Sequence, residues 1–232
     1  MQPTLDAHRS RLRSAFLDWL VELGAENVLD LGAGRGELVE ALGARGIDAE
    51  GIEADPDRHA TATALGRSVA MGSAYRVARP DASVGWVTLR HVLHHLERPE
   101  AALQEALRLA REGVLIAEPI SLAGVAMHDA NARLERALRA LDRARGAVHG
   151  PDLSPERIAA LLPDTAEVEI RIHALLTPLP ADEIEALVRV SSAGVDIGPE
   201  QRADIDAALA AAARGAIAPS GSAMIAARLV GR

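Results

Sequence analysis

The run Val28 to Leu38, VLDLGAGRGEL, constrains this chain more than any other stretch. It begins as a short apolar strand, passes through Gly32, Gly34 and Gly36, and enters a helix at Glu37 that Gly46 can close. Glycines at alternate positions remove side chains where the backbone must turn sharply and come close to a ligand. The helix start that follows presents unpaired amides to an anionic group. Strand, glycine turn and helix in that order open an α/β sheet whose ligands lie beyond the carboxyl ends of parallel strands.

The remaining chain keeps this rhythm. Leu5 to Leu23 reads as an amphipathic helix stopped by Gly24. Ala49 to Glu53 is a second strand, and Asp55-Pro56 caps a helix running to about Leu65. A third strand lies near Ser68 to Met71, a fourth at Val84 to Leu89, a helix opens at Pro99, and Gly113 separates it from a fifth strand, Val114 to Ala117. Ser121 to Gly150 is a helical segment that looks inserted. Ser154-Pro155-Glu156 starts another helix, Glu167 to His173 alternates as a half-buried strand, helices follow at about Ala181 to Val190 and Pro199 to Arg214, and Ser222 to Val230 is the last strand. The expected architecture is Rossmann-like: a mostly parallel seven-stranded sheet with helices on both faces, an antiparallel last strand and a helical insertion after strand 5. It forms a single domain over 1–232, in which 1–24 is the N-terminal helix, 25–119 the ligand-binding core, 120–152 an acceptor cap and 153–232 the remainder of the sheet with added helices.

Glu53 ends the second strand 23 positions after Asp30. This is close to the ~20-residue offset at which an acidic residue takes a ribose hydroxyl pair. Glycine loop and carboxylate together read as a nucleoside site. The dinucleotide pattern GxGxxG would need glycine where this chain has Glu37, so a nicotinamide cofactor is disfavoured. Composition removes other chemistries. The chain has no cysteine, hence no thiolate nucleophile or iron–sulfur ligation, and no lysine, hence no Schiff base or P-loop lysine. A formal net charge of −8 with one Phe, one Tyr and two Trp argues against nucleic acid as a partner. No apolar run approaches the ~20 residues of a membrane span, and the first amphipathic stretch lacks the apolar core of a secretory signal, so a cytoplasmic protein is expected.

The loop Asp30-Leu31-Gly32-Ala33-Gly34-Arg35-Gly36 resembles motif I, D-x-G-x-G-x-G, of the class I S-adenosylmethionine-dependent methyltransferases, in particular their small-molecule, methyltransferase type 11-like branch. GIEADPDR at Gly51 to Arg58 resembles the family's second-strand segment. Asp81 to Pro119 resembles its fourth-strand to fifth-strand region, so that about Val28 to Pro119 is covered. The resemblance implies S-adenosyl-L-methionine as cofactor, with Gly32, Ala33 and Gly34 against its amino acid part, Glu53 on its ribose hydroxyls and Ala54 on its adenine face. Asp30, Gly72, Ser73, Leu89 and Arg90 complete the cofactor-binding candidates. The chain departs from the family at Ser73, where many members carry an acidic residue, and at Gly85, where Asp is frequent.

Methyl transfer from a sulfonium needs alignment and water exclusion first, and a base only for some acceptors. Arg90-His91-Val92-Leu93-His94-His95 follows the fourth strand. His91 stands first beyond it, facing the expected cleft, and His95 matches a histidine that recurs in the family; both are candidate catalytic bases. His94 and His95 can equally cap or pack the loop. A metal reading of His91, His95 and Glu118 lacks a verified third ligand, and no metal is assigned. Glu118 is otherwise a substrate-orienting or solvated carboxylate. Trp19, Met127, His128 and Arg133 are candidate lining for an acceptor pocket, with helix packing as the alternative. The expected function is methylation of a small-molecule acceptor by a monomer or homodimer. The alternatives are a catalytically inactive cofactor-binding partner subunit and a nucleotide-dependent oxidoreductase.

Overall fold

The first strand, β1 (Asn27–Leu31), pairs in parallel with β2 (Asp48–Glu53) on one side and with β4 (Val84–Arg90) on the other. From β2 the chain steps outward to β3 (Val69–Met71) and then returns to β4, so the direction of winding reverses between β1 and β4. That reversal opens a crevice at the carboxyl ends of these two strands, the place where open α/β sheets bind ligands. β5 (Ala110–Ile120) continues in parallel from β4, and β7 (Gly221–Leu229) and β6 (Ala166–His173) complete the order β3-β2-β1-β4-β5-β7-β6. The sheet is seven-stranded and mixed, mostly parallel, with antiparallel pairing among its last strands. The computed structural model describes residues 4–150, 153–174 and 176–230, so the expected segment boundary at 152 falls outside the described residues.

Local chemistry sets the helices. α1 (Leu5–Glu22) stops at Gly24, whose φ of 76° suits a residue without Cβ. α2 (Glu37–Gly43) starts directly from the glycine loop. α3 (Pro56–Ala64) is capped by Asp55, whose carboxylate accepts the N–H groups of Asp57 and Arg58, with proline in the first turn where no donor is needed. α4 (Pro99–Leu109) leads straight into β5, α5 (Ala126–Ala144) occupies the inserted segment, α6 (Pro155–Ala159) is capped by Ser154, and α7 (Ala181–Ser192) and α8 (Pro199–Ala212) precede β7. Among the described residues no helix is long and apolar enough to cross a membrane.

The chain divides into two compact units. One comprises Arg13–Glu118, Asp152–Arg171 and Ala223–Arg232 and holds the glycine loop; the other comprises Met1–Leu12, Pro119–Pro151 and Ile172–Ser222. In the first, Phe16, Trp19 and Leu20 of α1 pack with Leu38 and Leu42 of α2 against Trp86, Leu115 and Met224. Trp19 belongs to this core and is buried, so it lines no pocket. In the second, Leu134 of α5, Ile184 of α7 and Ala208 and Ala212 of α8 form a separate helical core.

Two local expectations change. β6 is not half-buried on its apolar face: Val168, Ile170 and Ile172 are 41–45% exposed. The residue that packs is Arg171, its guanidinium 4.2 Å above the Trp19 ring and bonded to Glu22 and Glu169. A long stem and a flat cation let arginine cover an aromatic ring, and at the sheet edge this replaces aliphatic burial. Gly113 is not a boundary between helix and strand but lies inside β5. A Cβ there would sit 2.5 Å from the Ala227 carbonyl oxygen and 2.6 Å from the Trp86 ring. Gly113→Ala is therefore expected to cost about 1–3 kcal/mol through overpacking. Urea denaturation at fixed pH, comparing unfolding midpoints at unchanged slope, measures it.

Candidate functional site

Beyond Leu31 the chain turns over the end of β2: the N–H groups of Gly32 and Ala33 both donate to the Ile52 carbonyl, at 2.8 and 3.0 Å. Gly32, Gly34 and Gly36 all have positive φ, 75°, 59° and 75°. They differ in what surrounds them. A Cβ at Gly32 would collide with Val92 at 2.6 Å and one at Gly36 with Val69 at 2.8 Å, whereas one at Gly34 would meet nothing within 4 Å. Gly34 thus combines a left-handed backbone with open space, the geometry of a loop that lets a ligand approach the main chain. Gly51, which the sequence reading did not single out, has a matching role in β2: its missing Cβ makes room for Ala33, whose own Cβ lies 2.5 Å from where it would be.

Glu53, at the last position of β2, is buried beside this loop. One carboxylate oxygen accepts the Gly34 N–H at 2.6 Å; the other accepts those of Ala54 and Asp55 at 2.9 and 2.8 Å. The Gly72 N–H donates to the Glu53 carbonyl at 2.9 Å, which brings the end of β3 to the same edge. Ser73 follows, its hydroxyl accepting the Tyr75 N–H at 3.2 Å in a local turn. Leu89 is wholly buried in β4, so a ligand there would meet only its backbone. The structure therefore brings Gly32, Ala33, Gly34, Glu53, Ala54 and Gly72 to one strand-end edge.

Asp30 lies deeper, inside β1, with the Thr88 hydroxyl donating to it at 2.7 Å. Burial pushes its pKa up to about 6, with a smaller push from the Glu53 charge, against the Thr88 hydrogen bond and the nearby Arg90 guanidinium, which pull it down. Arg90 ends β4, and its Nε is buried without a hydrogen-bond partner.

The loop after β4 is fixed by a residue expected to orient substrate. Glu118, at 1% exposure, takes the Val92 and Leu93 N–H groups on one oxygen at 3.1 and 2.9 Å, and on the other the Nδ1 of His94 at 2.5 Å. This carboxylate is neither solvated nor available to a metal shared with His91 and His95. His91 has a left-handed backbone, φ 57°, and donates its N–H to the Ala117 carbonyl at 2.7 Å. Positive φ is uncommon in a residue with a side chain and costs free energy unless its surroundings impose it. The His91 and His94 rings stand edge to face at 6.4 Å, and those of His94 and His95 lie 4.0 Å apart. His95 is exposed and His94 is buried. His94, expected to cap or pack the loop, is buried in it and oriented by the Glu118 carboxylate. The signal that could have found it is the acid near the end of the neighbouring strand, which sequence spacing does not connect to it.

Asp30 yields a pH dependence. Its folded pKa lies above the ordinary 3.8, so the folded chain holds a proton that the unfolded chain has released, and stability falls as pH rises from about 4 to about 6. The fall should amount to roughly 3 kcal/mol or less and be complete above pH 6. Asp30→Asn is expected to flatten this limb of a stability-against-pH curve measured by chemical denaturation, because a neutral amide can still accept from Thr88. An unchanged slope in the variant would assign the pH dependence elsewhere.

Residues 29–117 match the family model described as a methyltransferase domain. An uncharacterized methyltransferase of Mycobacterium tuberculosis is 35% identical over 99 residues, covering 42% of this chain and 40% of that protein. A ubiquinone biosynthesis O-methyltransferase of Methylococcus capsulatus is 33% identical over 109 residues, 44% of this chain and 46% of that protein. The chain thus matches less than half the length of these curated relatives. The crystal structure of the YcgJ protein from Bacillus subtilis shares the fold, with a TM-score of 0.63 at 17% identity over 94% of this chain and 100% of that one. The matched stretch, less than half of the chain, contains the glycine loop, Glu53 and the histidine loop that the structure gathers at the ends of β1, β2 and β4, and over these residues the chain is similar to methyltransferase domains.

Proposed function

We propose that this chain transfers the methyl group of S-adenosylmethionine to a small-molecule acceptor, on oxygen, nitrogen or carbon, leaving S-adenosylhomocysteine. The observation that carries the reading is the Glu53 carboxylate set against the open left-handed Gly34. A carboxylate with an acceptor position left for a ribose hydroxyl stands where the main chain has no side chain to block a ligand. A carboxylate offers about four acceptor positions, and three N–H groups occupy Glu53 here. The residues present fit a nucleoside with an attached amino acid: Gly32, Ala33 and Gly34 would hold the amino acid end, Glu53 and Ala54 the nucleoside. The cofactor, when bound, supplies an electrophilic methyl on a sulfonium. The protein's own work is to align the acceptor for in-line displacement and to exclude water. His91, first beyond β4, is the group proposed to take the acceptor's proton on a ring nitrogen where the acceptor must lose one. The name of the Methylococcus relative supports oxygen as one acceptor atom. The net charge of −8 supports a small molecule over nucleic acid, and a cytoplasmic monomer or homodimer is proposed with it.

The alternative of a partner subunit without catalysis drew on Ser73 and Gly85. Gly85 has a packing reason instead: a Cβ there would lie 2.9 Å from the Asn27 carbonyl oxygen, at the start of β4 and away from the glycine loop. That reading now stands on Ser73 alone.

Titration calorimetry with S-adenosylmethionine, and with NAD as comparison, tests the cofactor. Binding of the first and not the second is expected. Glu53→Ala should weaken it about tenfold or more, the worth of one charge-assisted hydrogen bond at the lower end. Undiminished binding in a variant with unchanged melting midpoint would overturn the assignment. A panel of phenols, alcohols and amines read out by S-adenosylhomocysteine formation then tests turnover. His91→Ala is expected to lower kcat by about a hundredfold or more for acceptors that lose a proton.

A further inference from the structure

β6 ends the strand order, so among the described residues no further strand lies on its outer side to receive its main-chain N–H and C=O groups. Native sheets guard such an edge by shortening it, bulging it, placing proline in it or covering it. β6 is eight residues long, contains no proline, and leaves Val168 and Ile170 each 41% exposed on one face. Its guard is charge. Glu169 and Arg171 stand on the other face, their side chains 57% and 35% exposed, with the Arg171 guanidinium over the Trp19 ring. The stretch Val168 to Arg171 belongs entirely to the unit that holds the glycine loop.

Charges on an edge repel a strand of unmatched sequence, and the order of these charges selects a matched one. An antiparallel neighbour of identical sequence reverses the order of residues, so what faces what depends on where the twofold axis falls. With Ile170 on the axis, Ile170 meets Ile170, and Glu169 of each copy meets Arg171 of the other, twice over. An axis through Glu169 or through Arg171 sets that charge against itself, and one through Val168 sets Glu167 against Glu169. A parallel neighbour in register sets like against like throughout. Like charges directly opposite destabilise a strand pair and opposite charges stabilise it, so one register stands apart. Within each strand Arg171 already donates to Glu169 at 2.7 Å, and pairing in that register closes four charges of alternating sign into one cluster.

We propose that the outer edge of β6 pairs antiparallel with the same edge of a second copy of this chain, Ile170 lying on the twofold axis, so that the sheet of one copy runs on into the other. A twofold interface presents the same patch from both sides, and self-complementarity is the property it demands. The order Glu169-Ile170-Arg171 supplies it: opposite charges at equal distances either side of an exposed apolar residue. Directly opposite residues share a face of the sheet, so the ion pairs form on the Trp19 side and the isoleucine pair on the other. Contact along one strand sits at the small end of specific interfaces, which makes this a weak, concentration-dependent dimer. The pairing does not rest on the methyl transfer proposed above, and its test needs no S-adenosylmethionine.

Sedimentation of the full chain between about 1 μM and about 1 mM is expected to show monomer and dimer in equilibrium. Glu169→Arg and Arg171→Glu each set like charges opposite at both pairs and should weaken self-association by about tenfold. Mixed in equal amounts, the two variants face each other with opposite charges at both pairs, and association returns to the native strength. Loss of fold does not produce that rescue. Arg171→Glu also takes the cation from Trp19, so a second variant carries the test should it fail to fold. The chain has no cysteine, and Ile170→Cys sets one thiol of each copy on the axis. Under mild oxidation it should cross-link into a disulfide dimer about tenfold faster or more than Val190→Cys, whose position on α7 is 74% exposed. Monomer alone at every concentration, undiminished association of both charge variants, no rescue on mixing, or equal cross-linking at the two positions would each overturn the pairing.

Discussion

A chain that leaves the carboxyl end of a parallel strand carries main-chain N–H groups with no neighbouring strand to receive them, and near the core water cannot receive them either. The strand ends around β1 and β4 meet this constraint with buried carboxylates. Glu53 gathers the amides of Gly34, Ala54 and Asp55, which locks the loop after β1 to the turn after β2. Glu118 does the same for Val92 and Leu93 and adds the His94 ring. The left-handed turn at His91 lies immediately before the amides that Glu118 holds, so its unusual backbone persists because the next two residues are not free to relax. Both loops of the crevice thus owe their form to a buried carboxylate at or near the end of the adjacent strand.

Asp30 is a third buried carboxylate at this end of the sheet, with different partners. It has one hydroxyl donor in place of several amides, and its pKa rises to about 6. For Asp30 a single hydroxyl does not offset desolvation.

Where the sequence is read by short-range rules, the structure agrees. The glycine loop, the Asp55 and Ser154 caps and the acidic end of β2 are each visible because one residue type does a job that few others can do: positive φ, N-cap acceptance, an anion at a fixed offset. Among the described residues the strands and α-helices lie where the sequence places them, with ends moving by a few residues, while the 3-10 turn Leu93–His95 stands where a loop is expected. The misses are long-range. Gly113 looked like a terminator because glycine punctuates elements, but its reason is a Trp86 ring more than twenty residues earlier in the chain. The half-buried apolar face expected of β6 rests on alternation alone, which gives two faces and does not say which one packs; here Arg171 turns toward Trp19 and the apolar face is outward. Glu118 and His94 are separated by a helix and most of a strand, and only the parallel pairing of β4 with β5 brings them together.

The carboxyl of Asp30 gives the molecule a proton that comes and goes within the pH range of living cells. A ligand that delivers positive charge to the glycine loop makes that proton harder to keep, so its arrival is accompanied by partial release to the solvent. The heat of binding near pH 6 then depends on which buffer receives the proton, and apparent affinity rises with pH through the same interval.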